Sequence, residues 1–179
     1  MSKYIIDKNK LIENINIIKE KAGVEVIGVV KGNGYGFGMA NLAEILMQNE
    51  IKTFAVTEVY DIPLLREAVL DNDILVMRST CVEEEAKTIA QYDCIATIGS
   101  LSSAEVMDKV SKELGKKTKC HLKIDTGMGR YGFLPSQVES AIKCYDFENL
   151  DFCGAYTHFS SAFHNVQLTK AQLEMFKDT

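Results

Sequence analysis

The chain has 179 residues, 46% hydrophobic and 25% charged, a balance that supports a folded core and excludes a disordered chain. Its formal net charge of −5 offers no basic field for nucleic acid or an anionic membrane. No apolar run approaches membrane-spanning length, and the opening MSKYIID has no signal-peptide core.

In chain order, DKNKLIENINIIKEKAG carries Leu11, Ile12, Ile15 and Ile18 at helical spacing, with Asp7 as N-cap and Gly23 as stop. VEVIGVV reads as a strand, MANLAEILMQNE as a helix and KTFAVT as a strand. In DIPLLREAVLD, Pro63 fits only the first helical turn. DILVM, EEEAKTIAQY, CIATI, SSAEVMDKVSKELG, KCHLKID, PSQVESAIKCY and DFCGAYTHF continue the alternation, and TKAQLEMFKDT is a last helical pattern. Glu83–Glu85 suit a solvated helix start, and Met107, Val110 and Leu114 a buried helix face. The five cysteines are odd in number, form no C-x-x-C pair and sit mostly in apolar stretches. They read as free, buried thiols of a reducing compartment, the cytoplasm.

Six βα-type units with short connections imply an α/β fold with a parallel sheet covered by helices. The glycines of KGNGYGFG give G-x-G-x-G-x-G, neither the Rossmann fingerprint nor a Walker pattern, which favours a (β/α)8 TIM-type barrel over a doubly wound sheet. Six units cannot close eight strands, so the expectation is a partial barrel, one N-terminal domain over residues 1–179 of a longer protein.

Period-two reading puts His121, Lys123 and Asp125 on one face of KCHLKID and Cys120, Leu122 and Ile124 on the other. Ile27, Val29 and Lys31 share a face, as do Gly154, Tyr156 and His158. Polar groups from three strands thus collect at C-terminal strand ends, the catalytic rim of a barrel. A lysine ending an apolar strand can be desolvated and attack a carbonyl. The glycine-rich turn after it, and a helix start near Met39, are expected to cradle a phosphate. Amine and phosphate cradle together suit pyridoxal phosphate, with Tyr35 able to stack on its ring or bond its phosphate. A surface lysine opening a loop is the plain alternative. His121, His158, His164 and Cys120 match no structural zinc spacing, so no metal is expected.

VVKGNGYGFG, HLKIDTGMGRYG and YTHFSSA, in that order, together resemble the alanine racemases, pyridoxal-phosphate enzymes with a barrel followed by a β-rich domain. The resemblance implies that Lys31 forms the Schiff base and is one catalytic base. It implies that Tyr35 belongs to the cofactor-binding turn and that Lys123 is the position often carbamylated. Arg130 would reach the cofactor's phenolic oxygen and the substrate carboxylate, and His158 would stack on the pyridine ring. Carbamylation would turn two neighbouring cations into an ion pair. An opening strand at about Tyr4–Ile6 would join the C-terminal domain. A homodimer is implied, supplying D-alanine for peptidoglycan, with the second base, a tyrosine, contributed by the partner from sequence absent here. None of the seven tyrosines present matches that position, so these residues alone are expected to be inactive.

The family usually reads K-A-N-A-Y-G-H-G where this chain has Gly32, Gly34 and Phe37, and Phe163 stands where an acidic residue is common. Serine therefore rivals alanine as the small amino-acid substrate. Two further alternatives are a non-catalytic pyridoxal-phosphate carrier, which lacks KIDTGMGR, and a decarboxylase on the related barrel.

Overall fold

A computed structural model describes residues 5–179, which cluster into two compact units divided between Leu75 and Val76. Helix α1 (Lys8–Ala22) begins where the Asp7 carboxylate accepts the N–H groups of Asn9 and Lys10 and ends at Gly23 in the left-handed region, as expected. Ile15 is its buried residue, whereas Ile18, expected on the inner face, is 54% exposed. The expected strand at 4–6 falls partly outside the described residues, and Ile5 and Ile6 are in no strand.

In the first unit, β1 (Ile27–Val29) is shorter than its apolar run and pairs in parallel with β2 (Thr53–Val56). Between them lie the turn α2 (Lys31–Tyr35) and helix α3 (Met39–Gln48). A short 3-10 turn, Val59–Asp61, then leads into α4 (Ile62–Ala68), with Pro63 in its first turn where its missing N–H costs nothing. Strand β3 (Asp73–Val76) runs across the division. Phe54, Ala55, Val56, Ile62, Leu65 and Ile74 are fully buried.

The second unit contains α5 (Glu83–Gln91), β4 (Ile95–Ile98), α6 (Leu101–Glu113), β5 (Thr118–Lys123), α7 (Val138–Lys143), β6 (Leu150–Tyr156) and α8 (Val166–Asp178). Glu83, Glu84 and Glu85 do open α5, and α6 starts at a capping box between Ser100 and Ser103. Met107 and Val110 face inward from α6, but Leu114 is 38% exposed. Cys94, Cys120 and Cys144 are buried free thiols; Cys81 and Cys153 are free but exposed, which corrects the expectation for those two. Burial pushes the Cys144 thiol up to about 11.

The sheet order is β1-β2-β3-β4-β5-β6, without the reversal that a doubly wound sheet requires. The fold is therefore α/β, a partial barrel of the (β/α)8 type.

Pairing of β5 with β6 is parallel and slips by one residue: Cys120 lies opposite Phe152, but His121 lies opposite Gly154, leaving Cys153 as a bulge. The His121 ring rests against Gly154, where an added Cβ would sit 2.6 Å from Nε2. Gly154→Ala should therefore destabilise the chain by about 1–3 kcal/mol through overpacking. In equilibrium denaturation, His121→Ala in the same chain should restore most of that loss. Simple addition of the two effects would show that this contact is not the cause.

Candidate active site

Two of the five expected site residues, Lys31 and Tyr35, lie in the first unit, on α2. This turn winds left-handed: Gly32, Asn33 and Gly34 have φ of 60°, 54° and 62°, and Tyr35 has φ of 54°. Such backbone costs roughly 1–2 kcal/mol per ordinary residue, which glycine avoids. Glycine at 32 and 34 thus confines that cost to Asn33 and Tyr35. Asn33 also braces the turn: its Oδ1 accepts the Met39 N–H at 3.0 Å, and its carbonyl accepts those of Gly36 and Gly38.

The glycine-turn half of the expected phosphate cradle uses its amides within the chain. Gly34 N–H donates to Val30, Phe37 N–H to Gly34, and those of Gly36, Gly38 and Met39 to Asn33. Five amides of the segment are committed within the chain, because a left-handed turn closes its own hydrogen bonds. What the turn offers is side chains. Lys31 is half-buried and Tyr35 is 62% exposed. Neither side chain makes a hydrogen bond or ion pair among the described residues.

In the second unit, Asp125 governs the segment after β5. Its Oδ1 accepts the N–H groups of Gly127, Met128 and Gly129, at 2.9, 2.7 and 3.1 Å. Its Oδ2 accepts the Arg130 N–H at 3.1 Å. Asp125 is 5% exposed, so its carboxylate serves its own loop and not a barrel mouth, as its alternation with Lys123 had suggested. Burial pulls its carboxyl upward, but the N–H groups of Gly127, Gly129, Met128 and Arg130 outweigh it and hold the group below the ordinary aspartate range. The chain then doubles back: Phe133 N–H donates to Lys123 O and Asp125 N–H to Phe133 O, both at 2.8 Å. Gly132, at φ 118°, is required there, since a Cβ would stand 2.8 Å from Lys123 O.

This return, a loop that pairs Phe133 in parallel with Ile124, brings Lys123 and Arg130 to one aromatic ring. The Lys123 Nζ lies 5.9 Å from the Tyr131 ring centroid and 5.4 Å from that of Tyr156, its register partner on β6. Its hydrogen bond goes to the Ile124 carbonyl at 2.8 Å. Lys123 is 2% exposed, and burial lowers its affinity for a proton; Asp125 opposes that shift and Arg130 adds to it. The Arg130 guanidinium stacks 4.9 Å from the Tyr131 centroid. It is exposed, with no hydrogen bond or ion pair from the guanidinium among the described residues.

Sequence reasoning missed what holds the rings. Tyr131 and Tyr156 hydroxyls both donate to Met77 O at 2.8 Å; Thr97 Oγ1 donates to Val76 O at 2.7 Å and lies 2.9 Å from the Tyr156 hydroxyl. Burial, above all, pushes the Tyr156 phenol upward, so it stays protonated and able to donate. The neighbour of Arg130 in the RYG motif was the available signal for Tyr131. His158 follows β6 and is exposed; next to it, Thr157 Oγ1 meets Thr126 Oγ1 at 2.8 Å, tying its segment to the Asp125 loop.

Taken unit by unit and among the described residues, the Lys31 amine and the Tyr35 phenol make no hydrogen bond or ion pair and are groups of the kind that pyridoxal phosphate's aldehyde and phosphate require, while the Arg130 guanidinium, likewise uncommitted, suits an anionic oxygen. Among the described residues no cluster of metal-ligating side chains occurs.

Because its folded value is depressed, the Asp125 carboxylate contributes stability above the unfolded value of about 4, and that contribution is lost as pH falls through the folded value. Asp125→Asn should cost about 2 kcal/mol at neutral pH. Urea denaturation should show the gap to the native chain closing as pH drops below about 4. A gap of constant size from neutral to acid would refute the role of the charge.

Comparison with known proteins points the same way. Residues 6–179 match the family described as alanine racemase, N-terminal domain. An alanine racemase of Methanococcus maripaludis is 38% identical over 174 residues, 96% of this chain and 46% of that protein. One from Methylacidiphilum infernorum is 31% identical over 176 residues, 96% of this chain and 45% of its own length. The chain thus spans about half the length of the curated relatives it matches. The alanine racemase structure from Clostridium difficile 630 superposes with a TM-score of 0.86 at 29% identity, covering 92% of this chain and 44% of that one. With its six-stranded partial barrel and the KIDTGMGR segment folded around Asp125, the chain belongs to the alanine racemase family, of which it carries the N-terminal domain.

Proposed function

We propose that this chain is the cofactor-holding part of a pyridoxal-phosphate-dependent racemase interconverting the L and D forms of alanine. The observation that carries the reading is the exposed Arg130 guanidinium, stacked on Tyr131, fixed through its own N–H by Asp125 and free of any carboxylate among the described residues. When bound, the cofactor supplies an electron sink that acidifies the substrate's α-carbon. Lys31 holds the cofactor's aldehyde carbon and moves the α-proton on one face. Tyr35 donates its hydroxyl to the phosphate. Arg130 donates to the phenolic oxygen and to the substrate carboxylate, and His158 packs on the ring.

Lys123 is proposed to be carbamylated. Its neutral amine nitrogen bonds to the carbon of CO2 and releases a proton, leaving an anion beside Arg130. Burial favours the neutral amine that this step needs. The second base is not assigned to any residue of this chain, and racemisation by these 179 residues alone is not expected. The same reading makes the enzyme a cytoplasmic homodimer that supplies D-alanine for peptidoglycan. Serine is the second substrate reading: an added Cβ at Gly32 would meet nothing within 4 Å, where the family carries alanine.

Borohydride reduction after adding pyridoxal phosphate should label Lys31 and leave Lys31→Ala unlabelled by peptide mapping. Label spread over surface lysines in both chains would overturn the assignment. Isotope-labelled bicarbonate should give a carbamate carbonyl resonance in the native chain that disappears in Lys123→Arg. Its persistence there would place the carbamate elsewhere.

A further inference from the structure

Helix α8 is exposed along nearly its whole length, its apolar side chains included: Val166 is 65% exposed, Leu168 41% and Met175 42%. Its one buried residue is a polar amide, Gln172, at 2%. Burying an amide is costly unless both its ends are bonded, and here they are. Gln172 Oε1 accepts the Ser160 N–H at 3.1 Å and lies 3.4 Å from Ser160 Oγ. Its Nε2 donates to the Thr126 carbonyl at 3.3 Å. A Cβ on Gly127 would come within 3.0 Å of that Nε2, so glycine at 127 keeps the approach open.

The two segments that the amide joins each carry an expected cofactor contact. Thr126 begins the loop in which Asp125 fixes the Arg130 backbone, and Ser160 lies two residues after His158. We propose that Gln172 is a positioning residue that locks the Arg130 loop to the His158 segment. Its importance for cofactor binding rests on the function proposed above. Its chemistry is specific to an amide. A glutamate would keep the acceptor but set a carboxylate against the Thr126 carbonyl. A methionine of similar volume would leave both Ser160 N–H and Thr126 O without their partner. Thr126 itself is 3% exposed, so water replaces that partner poorly.

Gln172→Glu and Gln172→Met, each in the whole 179-residue chain, test this by amide hydrogen exchange and by titration with pyridoxal phosphate. In both variants, exchange should quicken roughly tenfold at residues 126–130 and 157–160, with β4 amides unchanged. The half-saturating pyridoxal phosphate concentration should rise by about the same factor, while the maximal fraction trapped on Lys31 by borohydride stays as in the native chain. A general structural role would speed exchange in β4 too and lower the trapped fraction; that result overturns the proposal. Unchanged exchange in both loops of both variants overturns it as well. If the native chain takes up no pyridoxal phosphate, the functional reading fails, and the exchange data alone decide whether Gln172 locks the two segments.

Discussion

The second unit of this structure depends on one buried carboxylate. Asp125 accepts four consecutive backbone N–H groups, those of residues 127–130, and a charged acceptor makes each bond stronger than a neutral one would. That grip turns the chain tightly enough for Phe133 to pair back onto the end of β5. Tyr131 and Tyr156 can then enclose Lys123, and Arg130 is left facing outward. Remove the carboxylate and the loop loses its internal template, because Gly127, Gly129 and Gly132 have little conformational preference of their own.

The first unit solves its problem by backbone hand instead of charge. Its left-handed turn carries Lys31 and Tyr35, and the amides of Gly34 and of residues 36–39 are committed to the chain itself. A glycine-rich segment that reads in sequence as open backbone for an anion uses five of its amides in bonds within the chain. Glycine at 32 and 34 lowers the strain of holding that hand, and Asn33 supplies the polar side chain that caps α3.

Much of the architecture was legible in sequence because it is written locally. Asp7, Gly23 and Pro63 mark element ends by short-range chemistry, and the alternation of apolar runs supplied the six strands of the sheet. The candidate site residues were singled out through motif resemblance, not through physics alone. Other features were illegible because they depend on what the sequence brings together at a distance. Asp125 sits at the right parity to face a site, yet four amides within five residues capture it first. Tyr156 and Thr97 meet across 59 residues, and Gln172 reaches Thr126 across 46. The slip at Cys153 changes which residues of β6 share a face, which period-two counting cannot foresee.

The most direct test is to follow the Asp125 side-chain carboxyl carbon by NMR as pH is lowered, with Asp125→Asn used for assignment. The account predicts a titration midpoint below that of an ordinary aspartate, accompanied by shifts in the amide resonances of Gly127, Met128, Gly129 and Arg130 at the same midpoint. A midpoint at or above the ordinary value, or amides indifferent to it, would contradict the claim that this carboxylate organises the site.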